Sequence, residues 1–150
     1  MTKETLTNAK HKLNEFHRWV RVSGFYPFYF IDSEAGYRLP LFELPDLSSP
    51  DWQNRPEWQR QAPEEVNEIL RAVNNLKDEG YRAILIASYL APYADRSSWI
   101  SFSTTDIMDL LGFKKSKFHR LKRQALLAFA KSYRQGWLET YTEQKKNGPN

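Results

Sequence analysis

Residues 112–134, GFKKSKFHRLKRQALLAFAKSYR, hold eight of the chain's 22 basic residues and none of its 18 acidic ones. The segment is therefore +8, while the rest of the chain is −4, although the whole carries only +4. A concentrated cationic patch is the electrostatic footprint of a polyanionic partner, and the plain alternative is a solvated basic helix face. The residue types divide the work of binding DNA. Lys117 and Arg120 lie three apart and share a helix face, and an arginine fork fits guanine O6 and N7, so these two are the base-reading candidates. Lys114, Lys115 and Ser116 fall where a helix is expected to start, and free amides and ammonium groups there suit a phosphate. Lys122 and Arg123 lie further along and suit backbone contacts, and His119 either reads a base or packs as a neutral ring.

Other chemistries find little support. The chain has no cysteine, which excludes disulfides and thiolate metal sites and fits a reducing cytoplasm. His11, His17 and His119 form no i, i+4 ligand pair, so no metal is expected. Asp106 with Asp109, and Glu65 with Glu68, share helix faces but sit where helix N-termini favour acids, which explains them without acid–base catalysis. Six scattered glycines form neither a phosphate-binding loop nor a dinucleotide fingerprint. A nuclease assembled from sequence-distant carboxylates is the one catalytic reading left open. The expectation is a protein that is not an enzyme and needs no cofactor.

The elements that must position the basic residues are helices. Ile107, Leu111, Phe113, Phe118 and Leu121 are apolar around Gly112, a residue tolerant of positive φ. A short helix up to Leu111, a turn, and a long helix from near Ser116 to about Leu138 make a helix-turn-helix pattern. The two helices pack through those apolar residues and leave the opposite face of the second free for a major groove. Ser103, three residues before Asp106, resembles an imperfect capping box for the first helix. Leu126, Leu127, Phe129 and Tyr133 read as core.

Upstream, Val66, Ile69, Leu70, Val73 and Leu76 recur at helical spacing behind Glu64, Glu65 and Glu68, with Gly80 expected to close that helix. Tyr81 to Leu90 is expected to be a further helix, stopped by Pro92. Leu6, Leu13, Phe16 and Val20 predict a helix over residues 6–21, ended by Gly24. Residues 25–44 hold two aromatic or apolar runs around DSEAG, which reads as a short hairpin or an irregular arm. Residues 45–63, rich in Pro, Ser, Gln and Trp, read as a linker, with Trp52 and Trp58 expected to dock on the core or meet a partner.

The fold class that follows is mainly α: a small helical domain with a C-terminal helix-turn-helix and an aromatic N-terminal arm or short hairpin. The expected divisions are residues 1–44 (helix and arm), 45–63 (linker), 64–138 (DNA-binding domain) and 139–150 (frayed tail). A length of 150 residues, 41% of them hydrophobic and 27% charged, with a mean hydropathy of −0.70, suits a soluble globular chain with one core. No segment has the apolar length of a membrane span, and the polar start MTKETLTNAKHKLNEF shows no secretory signal.

The wider segment adds a resemblance. Leu76, Arg82, Ile84, Leu85 and Tyr89, then Ile107, Leu111, Gly112, Ser116, Phe118, Lys122, Ala125, Leu126, Phe129 and Ala130, resemble the ArpU family of phage transcriptional regulators. The C-terminal part of that family is similar to the DNA-binding fourth region of bacterial sigma factors. The resemblance covers roughly residues 64–135. It implies a small helical, sequence-specific DNA-binding protein that activates late phage genes for packaging and lysis. Residues 25–44 and 91–102 depart from the family and leave the oligomer and the polymerase contact open. Expected partners are double-stranded DNA, RNA polymerase and a second copy of the chain, with no membrane. Phe25, Tyr26, Phe28, Tyr29 and Phe30 either form the self-association surface or fold back on the core. The rival reading is a small terminase-like DNA-packaging subunit, which works as a ring; a third is a module whose basic helix meets an acidic protein.

Overall fold

The computed structural model describes residues 2–23, 31–33, 36–38, 48–90 and 104–139. The chain is mainly helical, as its periodicities predict. The first two helices, α1 (Thr2–Asn14) and α2 (Phe16–Ser23), meet at Glu15, whose amide is shared between the carbonyls of His11 (3.1 Å) and Lys12 (3.2 Å). The helix predicted over residues 6–21 is thus longer at both ends and interrupted in the middle. A short antiparallel pair, β1 (Ile31–Ser33) with β2 (Gly36–Arg38), holds Ile31 opposite Arg38, and β2 lies near the helix at Glu79–Leu85. The aromatic run 25–30, the stop signals Gly24 and Pro92, the loop 91–102, the Ser103 cap and residues 140–150 lie outside the described residues.

The stretch read as an aperiodic linker contains two helical turns, α3 (Pro50–Gln53) and α4 (Glu57–Arg60). Ser49 caps the first, accepting from the Trp52 amide at 3.2 Å, and Pro50 supplies the preset φ of a first helical residue. Trp52 is buried, with the Arg55 guanidinium 4.9 Å from its ring centroid, whereas Trp58 stays 59% exposed and does not dock.

Helix α5 (Ala62–Asn74) buries Val66, Ile69, Leu70 and Val73, as its spacing predicts. It ends at Asn74, six residues before Gly80. Gly80 instead sits in the first turn of α6 (Glu79–Leu85), because the Asp78 carboxylate caps that helix by accepting from the Tyr81 amide at 3.1 Å. The connection is tied down by Arg82, 3% exposed, whose guanidinium donates to the carbonyls of Leu76 and Lys77. From Ile86 to Leu90 the helix widens into a π turn. There the Tyr89 carbonyl lies 2.6 Å from Nε2 of His17 on α2. Burial, and then the Arg21 charge, lower the pKa of His17 to about 4, so the ring is neutral and donates this bond.

The last helices are α7 (Thr104–Leu111) and α8 (Lys115–Ser132). The apolar interior is divided where one core was expected. The larger cluster unites α1, α2, α5, the end of α6 and the second half of α8 through Leu13, Phe16, Val66, Ile69, Leu126 and Phe129. The smaller joins Ile84 and Ala87 to Ile107 of α7 and Phe118 of α8, with Met108, Leu111, Phe113 and Leu121 packed around it. Helix α8 is therefore anchored twice, by Phe118 near its start and by Leu126 and Phe129 further on.

The same helix stops at Ser132, six residues short of the predicted end. Tyr133 leaves the helix so that its hydroxyl can donate to Glu65 Oε1, and the Arg134 guanidinium meets Glu65 Oε2 at 3.0 Å. Lys12 Nζ adds a third contact, 3.1 Å from Oε1. Burial pushes the Glu65 carboxyl up, but these donors outweigh it and hold the group below its usual range. Arg134 (φ 44), Gln135 (φ 58) and Gly136 (φ 89) then run through the left-handed region in succession. That conformation is costly for the first two, and the Glu65 contacts hold Arg134 in it.

Candidate nucleic-acid interface

The connection between α7 and α8 explains how the basic residues are aimed. Gly112 has φ 72, its amide donates to the Asp109 carbonyl (3.3 Å), and the Phe113 amide reaches back to Met108 (3.0 Å). This is a Schellman stop, and Phe113 and Met108 on either side of it both pack on the smaller apolar cluster. Lys114 then takes an extended conformation as the N-cap of α8, without a side-chain cap bond. The amides of the first turn therefore have no intrahelical acceptor.

The outward face of α8 carries most of the residues singled out in the sequence. Lys114, Lys115, Ser116, Lys117, His119, Arg120 and Arg123 are exposed. Phe118, Ala125, Leu126 and Phe129 turn inward. Lys117 and Arg120 sit side by side on the far side from the core, with Lys117 Nζ 5.4 Å from the Phe113 ring centroid. His119 lies at the margin, edge-on to Phe118 with ring centroids 5.6 Å apart, and is exposed rather than packed away.

Lys122 departs from its expected place. Its ammonium is half-buried, 5.3 Å from the Tyr89 ring centroid and 5.9 Å from that of Phe118. Burial, and then the neighbouring Lys10 charge, lower its pKa. It faces the protein, not the open surface. Arg134, the last of the eight basic residues, is committed to Glu65. Six cations remain on the open side: Lys114, Lys115, Lys117, Arg120, Arg123 and Lys131.

Sequence reasoning passed over Gln124, which lies one turn beyond Arg120 on the same exposed stripe. Its Oε1 accepts from the Tyr81 hydroxyl at 3.0 Å. The i, i+4 spacing from Arg120 was legible; the partner, 43 residues earlier in the chain, was not.

Elsewhere an open cleft of about 420 Å³ is lined by Asn8, His11, Lys12, Glu15, Trp137, Leu138 and Glu139. Its lysine is already bound to Glu15 (3.0 Å) and Glu65, so the cleft offers no surplus positive charge to an anionic ligand. Among the described residues there is no group of three or more His, Asp or Glu that could hold a metal ion, and no helix long and apolar enough to cross a membrane.

No protein-family model and no solved structure matches the chain. A protein of Streptococcus phage O1205, provisionally named autolysin regulatory protein ArpU, is 39% identical to it over 77 residues. The aligned part is 51% of this chain, which in turn spans only about half (51%) of that relative. Over that half the chain is similar to a phage protein named as a regulator.

Proposed function

We propose that this chain is a sequence-specific, DNA-binding transcriptional regulator of phage or prophage origin, working in the bacterial cytoplasm. In this reading α7, the Gly112 turn and α8 form a helix-turn-helix, and α8 enters the major groove. The observation that carries it is the outward face of α8, where exposed cations accumulate without an acid while the inward face is anchored in two apolar clusters. Lys117 and Arg120 read base edges. Lys114, Lys115, Ser116 and Arg123 hold phosphates, and His119 flanks the groove. Lys122 braces α8 against Tyr89.

The likeness to a phage protein named as an autolysin regulator supports a regulatory role over a packaging one. Activation of late genes by recruiting RNA polymerase is the finer part of the reading, and it rests on the resemblance to the ArpU family. A dimer would place two copies of α8 one DNA turn apart on a two-part site.

The test is selection of bound duplexes from a random pool at about 0.15 M salt, where nonspecific contacts are weakened. A defined motif is expected, with Arg120→Ala costing about 1 to 3 kcal/mol of discrimination at one position. Salt-sensitive binding to every sequence, together with a ring larger than a tetramer in light scattering, would transfer the assignment to a packaging subunit.

A further inference from the structure

We infer that Gln124 is a further specificity-determining residue, whose carboxamide, oriented by the Tyr81 hydroxyl, selects an adenine beyond the base contacted by Arg120. The inference rests on the proposal that α8 enters the major groove, and it adds a residue to that site.

Position comes first. Gln124 follows Arg120 by four residues and Lys117 by seven, so the three lie along one stripe. All three are exposed. At 1.5 Å per residue Gln124 sits about 6 Å beyond Arg120, close to two base steps of about 3.4 Å. Lys131 continues the stripe seven residues further, about 10 Å on, and it is a point charge without directional preference.

Orientation comes second. Tyr81 belongs to the capped first turn of α6, and its ring packs on the larger cluster, so its hydroxyl is delivered from a fixed scaffold. The hydroxyl donates to Gln124 Oε1 and so restricts where the carboxamide lies on the face of α8. One lone pair of Oε1 is used, leaving one acceptor site and the two N–H donors of Nε2. In an exposed pair water would satisfy the same groups, so the bond adds little stability. What it adds is direction.

Chemistry comes third. Adenine presents an N7 acceptor beside an N6–H donor in the major groove, matching the donor and acceptor of an oriented carboxamide. Guanine presents two acceptors there, and would set O6 against Oε1. The expected preference is therefore adenine over guanine at that step.

The experiment is the random-duplex selection on the full chain, comparing the unmodified protein with Arg120→Ala, Gln124→Ala and Tyr81→Phe. Circular dichroism confirms that each variant is folded. In the motif of the unmodified protein, adenine is expected about two positions from the base that Arg120→Ala relaxes. Gln124→Ala should lose that preference alone, by roughly tenfold, the lower-middle of what one bidentate pair supplies. Tyr81→Phe keeps the glutamine but frees its amide, so it should weaken the same preference severalfold and leave the Arg120 position intact. If the motif survives Gln124→Ala at every position, this inference is overturned while the DNA-reading proposal stands. If the unmodified protein selects no motif, both fall together.

Discussion

The salt dependence of DNA binding can be predicted residue by residue, because the structure separates the cations that face outward from those already engaged. Eight basic residues lie between 112 and 134. Arg134 is 3.0 Å from Glu65, and Lys122 stacks over Tyr89 and Phe118. Six remain; with Lys117 and Arg120 on base edges, Lys114, Lys115, Arg123 and Lys131 are left for phosphates, and each phosphate neutralised contributes about −0.9 to the slope of log K against log salt. Engagement of all four predicts a slope of about −3.6, so affinity should fall roughly 150-fold between 50 and 200 mM salt. Fluorescence anisotropy of a labelled duplex over that range measures it. Arg123→Ala should flatten the slope by about 0.9, while Lys122→Ala and Arg134→Gln should leave it unchanged once unfolding curves confirm that the variants are folded. A slope near zero, or an Arg134→Gln variant that flattens it as much as Arg123→Ala, would refute the division drawn here.

Two further perturbations test the scaffold. The pKa of His17, about 4 when folded, lies below its ordinary 6.5, so between those values the unfolded chain binds more protons and stability declines as pH falls. Above pH 6.5 the contribution is complete; at pH 5 the shift implies a loss of about 2 kcal/mol, reduced to about 1 because the ring is only partly buried. Urea unfolding at pH 7.5, 6 and 5 should show this loss relative to His17→Gln, and parallel pH dependences in the two proteins would contradict it. At Gly112 an added Cβ would meet nothing within 4 Å, so Gly112→Ala should cost about 1 to 2 kcal/mol through its positive φ alone. Gly112→Asn should recover part of that in thermal denaturation; an alanine variant as stable as the glycine protein would show that the turn does not require φ 72.

What the sequence disclosed was local. The spacing of Val66, Ile69, Leu70 and Val73 determines which face of α5 is buried, and the glycine after Leu111 marks a helix stop whose geometry is set within six residues. The cations of α8 are exposed because Phe118, Ala125, Leu126 and Phe129 commit the opposite face to the interior. What stayed hidden depends on distant partners. Tyr133 ends α8 because Glu65, 68 residues earlier, accepts its hydroxyl. Lys122 is drawn inward by Tyr89, and Gln124 is aimed by Tyr81. Two signals were readable but outweighed: Ser49–Pro50 has the form of a helix start within a stretch whose composition suggested a linker, and Asp78 is a cap that makes Gly80 a beginning instead of an end.

The double anchoring of α8 separates two properties that many small proteins must trade against each other. Phe118, Leu126 and Phe129 hold the helix, and none of them belongs to the stripe of Lys117, Arg120 and Gln124. Exchanges on such an exposed stripe typically move stability by no more than about 0.5 kcal/mol, whereas truncating a buried phenylalanine costs about 3 to 5. The scaffold can therefore stay constant while the exposed side chains diverge. If α8 reads DNA as proposed, a lineage of such proteins follows changing target sequences through two or three surface codons, and the same three positions are where an engineer would begin to redirect it.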